Sequence, residues 1–283
     1  MLISIVIPTR NRCELLRNTL IALLADGYAH KEIVVMDAAS TDGTVEMLRT
    51  FGDRIRWVSE RDGGEYFARN NAFALTTGEL ISFCGDDNVL LPGGMEFAAE
   101  YMLSHPDVDI MFGQARRYCE WQDGSRVLMD TLRSPVGPVQ ARSFIRGATP
   151  NIMSDTAFFR RRVVEKVGRF DTAFLGADYE LWARAAHRGC RLIMVDRPVV
   201  EYVVSMKSQV ISKKRHLAAE RCKLALRYGT FTDVLYVFVL FTPRQILVDW
   251  LHRILPWRLE RTLKRLFWAA KDPALGTIPS EGN

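Results

Sequence analysis

Apolar positions along the chain alternate between two patterns. Ile55 to Val58 reads as a short strand, while Leu2 to Ile7, which is β-branched throughout most of its length, Ile33 to Met36 and Leu80 to Cys84 are short, nearly unbroken apolar runs. Such runs predict strands buried on both faces. Between them the apolar residues take up a helical spacing. Leu16, Leu20, Leu23 and Leu24 fall at i, i+4, i+7 and i+8, and Ala68, Ala72 and Leu75 share one face of a helix over Tyr66 to Thr76. Gly27 and Gly78 end these two helices. Asn11 and Glu14 have the spacing of a capping box, and Ser40, Thr41 or Asp42 supplies the cap of the helix after the second strand. Strand, polar loop and helix in repetition is the βαβ rhythm of a parallel sheet, so the fold class is α/β.

Downstream, Pro92-Gly93-Gly94 leads into a helix from Met95 to Leu103. Strands follow at Ile110 to Phe112 and Ala157 to Arg160, then a helix from Arg161 to Val167 stopped by Gly168. Asp178 to His187 reads as a helix, and Arg191 to Val195 and Val199 to Val204 as two late strands. From Arg117 to Arg142 the pattern is weak, with Trp121-Gln122-Asp123-Gly124 resembling a hairpin turn. The tail reads as helical. Its apolar run Val234 to Phe241 is too short to cross a bilayer. Trp257 to Trp268 places Leu259, Leu263, Leu266 and Phe267 on one face and Arg258, Arg261 and Arg265 on the other. That distribution suits an interfacial membrane helix, a helix packed on its own domain, or an oligomer contact.

Charge adds an asymmetry. The net charge of +5 is concentrated between Ser205 and Asp272, which hold 14 Lys and Arg against 5 Asp and Glu. A basic tail on a slightly acidic body predicts an anionic partner surface, membrane lipid or nucleic acid. Nucleic acid ranks last, because no recognition motif or basic stripe marks the main body. The five cysteines form no CxxC pair and the five histidines no HxxxH spacing, which fits a reducing compartment and argues against a zinc site. The apolar run at residue 2 has no basic lead and does not read as a signal peptide.

The candidate chemistry is acidic. Leu80 to Cys84 ends in Gly85-Asp86-Asp87-Asn88, and two carboxylates closing a buried strand need a cation, a hydrogen-bond cluster or water. Carboxyl ends of strands are where open α/β sheets bind ligands. The loop is therefore either a divalent-metal site for a phosphorylated ligand or a polar turn. Asp37, at the end of the second strand, suits a hydrogen bond to a base or ribose, or a helix cap. Asp178 suits a general base, or a helix N-terminal carboxylate favoured by the dipole. No GxGxxG follows the first strand and no GxxxxGK[ST] occurs, which excludes the common dinucleotide and P-loop sites. The opening also lacks the Gly-rich, Arg-containing loop of a sugar nucleotidyltransferase.

Five segments resemble family 2 glycosyltransferases in that family's order. They are Ser4-Ile5-Val6-Ile7-Pro8-Thr9-Arg10-Asn11-Arg12; Val35-Met36-Asp37-Ala38-Ala39-Ser40-Thr41-Asp42-Gly43-Thr44; Ser59-Glu60-Arg61-Asp62-Gly63-Gly64 with Ala68-Arg69-Asn70; Asp86-Asp87-Asn88; and Gly168-Arg169-Phe170-Asp171 with Ala177-Asp178-Tyr179-Glu180-Leu181-Trp182. The resemblance covers about residues 2 to 204. It implies a GT-A fold, with a Rossmann-like, mostly parallel central sheet flanked by helices, followed by a helical C-terminal extension. The nucleotide-sugar-binding half would span about 1–115, the acceptor-binding half 116–204 and the basic amphipathic extension 205–283. The resemblance implies a nucleotide-sugar donor, usually a UDP-sugar, a divalent cation (Mn²⁺ or Mg²⁺), and hexosyl transfer with inversion to a glycan or lipid-linked acceptor, as in polysaccharide biosynthesis. Carried over by position, Pro8, Thr9, Arg10, Asn11, Ser40 and Arg69 bind the nucleotide sugar, and Asp37 reads the base. Asp86 approaches the ribose and phosphates, Asp87 binds the metal, and Asp178 is the catalytic base. Two features depart from the family pattern: the metal strand ends in adjacent carboxylates rather than Asp-x-Asp, and Ala177 stands where many members have Glu before the base. The expected location is cytoplasmic, peripheral at the inner membrane face or joined in a homo-oligomer through the tail. A non-catalytic, sugar-nucleotide-binding or scaffolding relative is the alternative.

Overall fold

The computed structural model describes residues 1–120, 126–132, 135–146, 152, 154–205 and 217–243. The first part repeats strand and helix: β1 (Ile3–Thr9), α1 (Cys13–Ala25), β2 (Lys31–Asp37), α2 (Thr44–Arg49), β3 (Arg56–Ser59), α3 (Glu65–Ala72) and β4 (Leu80–Phe83). A two-residue β5 (Val89–Leu90) and α4 (Gly94–Ser104) follow. The second part holds β6 (Ile110–Glu120), β7 (Arg126–Leu132), β8 (Gly137–Val139), α5 (Ala141–Arg146), β9 (Ala157–Arg160), α6 (Arg161–Val167), α7 (Ala177–His187) and β10 (Leu192–Ser205). Last come α8 (Leu217–Tyr228), α9 (Phe231–Leu235) and a π-helical turn over Tyr236–Phe241.

All ten strands join one sheet in the order β3-β2-β1-β4-β9-β6-β10-β5, with β7 on β6 and β8 on β10. Pairing is parallel through β3-β2-β1-β4 and again along the ten-residue register of β6 with β10. The strands between and beyond them run antiparallel. This is the α/β, mainly parallel architecture that the pattern predicts. In β1 the alternation of the pleat divides the side chains between two cores. Ile3, Ile5 and Ile7 face α1, α2 and α4, while Val6 faces α3 and, further along the sheet, α7. A strand covered on both sides has no polar face, which is why its sequence shows none.

Several boundaries differ from expectation. The two late strands are one, β10, with register shifts on either side of Pro198. Proline gives no ladder N–H, so the strand bulges there and continues. β6 runs on through Arg116 and Tyr118 because β10 and β7 pair with it on both edges, although its apolar run stops earlier. The capping box at Asn11 does not form. The residue before α1 is Arg12, Asn11 takes a positive φ of 52°, and its Oδ1 accepts from Thr41 N instead. Among the candidate caps of α2, Asp42 accepts from Thr44 N at 3.2 Å. The predicted elements at Trp121–Gly124 and Trp257–Trp268 lie outside the described residues.

The chain after β10 returns to the core. Leu224, Ala225 and Val237 are buried with Phe144 and Leu181, Tyr228 donates its hydroxyl to Glu180 on α7, and Arg146 Nε meets Asp233 Oδ1 at 2.6 Å. No helix among the described residues is long and apolar enough to cross a membrane.

Candidate active site

The parallel strands β1, β2 and β4 deliver Thr9, Asp37 and the Gly85–Asn88 loop to one edge of the sheet. Thr9 and Asp37 are register partners, and Thr9 Oγ1 donates across to Asp86 Oδ2 at 2.8 Å. Asp86 is buried, and the loss of water pushes its pKa up to about 6 against the opposing pull of Arg12 and Thr9. Arg12 Nη1 bridges the carboxylate pair, 3.0 Å from Asp86 Oδ1 and 2.7 Å from Asp87 Oδ2. The turn needs Gly85. A Cβ there would stand 2.7 Å from Asn88 Nδ2 and 3.1 Å from Asp87 Oδ1, so glycine lets the carboxylate and the amide fold in beside the backbone.

Two loops lock together above Asp37. Its buried carboxylate accepts from Ser40 N at 3.0 Å, from the Ser40 hydroxyl, and from Ser59 Oγ at 2.5 Å. Ser40 Oγ in turn accepts from Asn11 N at 2.7 Å, and Asp42 Oδ2 accepts from Cys13 N at 2.9 Å. Pro8 is half-buried, and Arg10 and Asn11 are exposed on this rim. Asp37 thus shapes the rim through Ser40 and Ser59.

Asp178 lies in the first turn of α7. Its Oδ1 accepts from Tyr66 Oη and from Tyr179 N, each at 2.9 Å, and its Oδ2 from Ser154 Oγ at 2.7 Å. Burial raises the Tyr66 phenol above its ordinary pKa, with the Asp178 charge next in importance, so Tyr66 stays a proton donor. Beside Ser154, the fully buried Asp155 accepts from Gly85 N at 3.2 Å and from Asn88 Nδ2. Burial lifts its pKa to about 6 against the pull of Arg69. Arg69 is buried on α3 with Nη2 2.6 Å from Glu65 Oε1 and 3.9 Å from Asp155 Oδ1, and its guanidinium lies over the Phe83 ring at 4.6 Å. Arg69 Nε and Nη1 meet no acceptor among the described residues.

One network therefore joins the residues singled out by pattern. Thr9 donates to Asp86, which meets Asp87 through Arg12; Asn11, Asp37 and Ser40 form the neighbouring rim; and the turn Ser154–Thr156 ties Asp178 and Arg69 to the β4 loop. Arg12, Tyr66, Ser154 and Asp155 are functional candidates that the pattern did not assign. Arg12 closes the first quoted motif without a role of its own there, and Tyr66 lies between two quoted segments. The signal for Ser154-Asp155 was three polar residues set directly before an apolar strand.

The carboxylates suit a hard divalent cation, which takes oxygen ligands. Asp87 offers a half-exposed carboxylate, with Asp86 buried behind it and Gly85 leaving room for both. No cluster of three or more acidic, His or Cys ligands occurs among the described residues. A cation held by Asp87 would take its other oxygens from phosphate and water.

A mainly parallel sheet with acidic residues along the carboxyl edge of its first strands, beside a helix-borne carboxylate, is the arrangement on which the family assignment can be tested. The comparisons with known proteins agree. The model of glycosyl transferase family 2 matches residues 4–168, and the chain belongs to that family. It is 28% identical over 191 residues to the uncharacterized glycosyltransferase RP339 of Rickettsia prowazekii, covering 64% of this chain and 57% of the relative. It is also 28% identical over 106 residues to the putative teichuronic acid biosynthesis glycosyltransferase TuaG of Bacillus subtilis, covering 36% of this chain and 42% of that protein. The chain spans from a fifth to about two thirds of the length of the first curated relatives it matches. Among solved structures, S. aureus TarS 1-349 in complex with UDP-GlcNAc superposes with a TM-score of 0.65 at 16% identity, covering 84% of this chain and 72% of that one. The mannosyltransferase PcManGT from Pyrobaculum calidifontis, in complex with GDP-Man and Mn²⁺, superposes with a TM-score of 0.64 at 21% identity, covering 96% and 81%. The fold is GT-A.

Proposed function

We propose that the protein transfers a hexosyl group from a nucleotide sugar, a UDP-sugar, to a hydroxyl of a glycan or lipid-linked acceptor with inversion. The observation that carries this reading is the single network joining Asp178 to the Asp86–Asp87 loop through Ser154 and Asp155. It links a carboxylate suited to taking a proton with a pair suited to a diphosphate and its cation, which supports the reading. The sugar nucleotides bound in the two solved relatives support the donor class, and the teichuronic acid relative supports a polysaccharide acceptor.

In this mechanism Pro8, Thr9, Arg10, Asn11, Asp37 and Ser40 form the nucleotide wall, with Asp37 set toward the base and Asp86 toward the ribose and phosphates. The unpartnered N–H groups of Arg69 suit phosphate oxygens. A divalent cation, when bound, neutralises charge on the diphosphate leaving group, and Asp87 is the residue that would hold it. Asp178 removes the acceptor hydroxyl proton as that oxygen bonds to the anomeric carbon and the carbon–diphosphate bond breaks. Tyr66 and Ser154 hold the carboxylate in position. One displacement from the opposite face inverts the centre.

The test is calorimetric titration of UDP, GDP and dTDP, each with and without Mn²⁺, into wild type and Asp87→Ala. The expected result is Mn²⁺-dependent binding of UDP, weakened about 100-fold by the substitution. Absence of binding for all three nucleotides sinks the donor site and moves the non-catalytic reading forward.

Membrane attachment belongs to the same proposal. Phe231, Leu235, Phe238, Val239 and Leu240 are exposed large apolar side chains on α9 and the π-helical turn, within the basic extension. Apolar insertion beside basic residues suits an anionic bilayer. Truncation at residue 231 is no clean test, because it would remove Asp233 and Val237, which are buried. The double variant Val239→Asp/Leu240→Asp in the full chain is expected to lose flotation with anionic vesicles. Unchanged flotation would leave the tail or an oligomer contact as the role of this segment.

A further inference from the structure

Arg12 is the one cation that the described residues place on either carboxylate of the β4 loop. It is not a loose surface side chain. Asn11 N and Cys13 N on either side of it are held by Ser40 Oγ and Asp42 Oδ2, and its own carbonyl accepts from Leu16 N at 2.9 Å. The guanidinium thus reaches the carboxylates from a fixed origin. The two carboxylates are held unequally. Asp86 is buried and also accepts from Thr9, whereas the Asp87 side chain is 39% exposed and Arg12 is the partner the structure gives it.

A divalent cation on Asp87 and the Arg12 guanidinium, which holds Asp87 Oδ2, compete for the same carboxylate, since both are positive. Arginine has further N–H donors in its planar fork, and diphosphate oxygens match that fork. From this geometry, and resting on the donor-site reading above, we infer that Arg12 is the built-in counter-ion of the acidic pair and makes metal binding and donor binding conditional on one another. A cation arriving alone must displace Arg12 from Asp87 with nothing to receive the freed charge. A cation arriving with a nucleoside diphosphate displaces it toward a new anionic partner, while Asp86 keeps its contact. Linkage requires the coupling to be reciprocal: the diphosphate tightens the cation as much as the cation tightens the diphosphate.

The experiment measures Mn²⁺ binding by the paramagnetic resonance signal of free Mn²⁺, first with no nucleotide, then measures UDP binding by calorimetry at saturating Mn²⁺. Wild type, Arg12→Gln and Arg12→Lys are compared. Without nucleotide, Arg12→Gln is expected to bind Mn²⁺ about tenfold more tightly than wild type, equivalent to about 1.4 kcal/mol. At saturating Mn²⁺ it is expected to bind UDP about tenfold more weakly, because the displaced partner of the diphosphate is gone. Arg12→Lys offers a single ammonium in place of the fork and is expected to shift both constants the same way by about threefold. It carries the test if the glutamine variant does not fold. If Mn²⁺ alone binds the variants no more tightly than wild type while UDP still binds wild type with Mn²⁺, Arg12 is only a structural tie and the inference is overturned. If UDP does not bind wild type at any Mn²⁺ concentration, the donor-site reading itself has failed, and this inference with it.

Discussion

The two acidic regions of the site are held by opposite means. At the end of β4 the carboxylates of Asp86 and Asp87 share a full positive charge, that of Arg12, and Asp86 is buried until its pKa reaches about 6. At the start of α7 the carboxylate of Asp178 accepts from two hydroxyls and a backbone N–H, all neutral. A carboxylate neutralised by a cation is prepared to exchange one cation for another. A carboxylate oriented by neutral donors has no cation to exchange among the described residues. Under the proposed mechanism the same side chain would serve two tasks because its neighbours differ, and the β4 loop and α7 should respond differently when those neighbours are removed.

The largest expected effect separates chemistry from binding. Asp178→Asn should lower kcat by about 10²- to 10⁴-fold, the contribution of a positioned general base, with UDP affinity unchanged. Steady-state rates beside calorimetry decide the matter, and a parallel loss of UDP binding would mean that Asp178 belongs to the donor site.

Next in size is the link between the regions. Asp155→Ala leaves the buried Arg69 without one of its two carboxylates and frees Gly85 and Asn88. It should cost about 3 kcal/mol in urea unfolding. Asp155→Asn tests the pH dependence. Asp155 and Asp86 each have a folded pKa of about 6, above the ordinary value of 3.8. Each binds its proton more tightly in the folded state, so stability is greatest below about pH 4 as far as these groups are concerned and falls as pH rises through about 6. The asparagine variant should lose less stability than wild type across that interval. Identical pH slopes would mean that Arg69 and the hydrogen bonds fully offset the buried charge.

Smaller effects sharpen the picture of α7. Glu180 is fully buried and takes the Tyr228 hydroxyl and Arg184 Nη2, so Tyr228→Phe should cost about 2 kcal/mol, the range for a hydrogen bond to a charged group. Chemical denaturation measures it, and UDP affinity should not change. Smallest is Tyr66→Phe, which removes one of the donors orienting Asp178 and should lower kcat about tenfold at constant UDP affinity. An unchanged rate would leave Ser154 and the backbone sufficient to hold the base.

The sequence by itself determined the parallel half of the sheet, because strands buried on both faces need continuous apolar runs, and helices between them need one apolar stripe. It also singled out Asp37, Asp86 and Asp87, because carboxylates at the ends of apolar strands stand out against a rule that excludes buried charge, and Asp178 at the start of a helix. It did not show β5, β8 or α5, whose short segments gain their structure from partners distant in sequence, and it showed β7 only as one arm of a weak hairpin pattern. Nor did it separate a capping Asn11 from one that reaches across to Thr41, since both readings use the same polar residue before a helix. Only the tertiary structure decided who neutralises whom. Arg12 meets Asp86 and Asp87 across more than 70 positions, and Asp155 meets Asn88 across 67. Such pairings depend on distance and desolvation in three dimensions, and local periodicity carries neither.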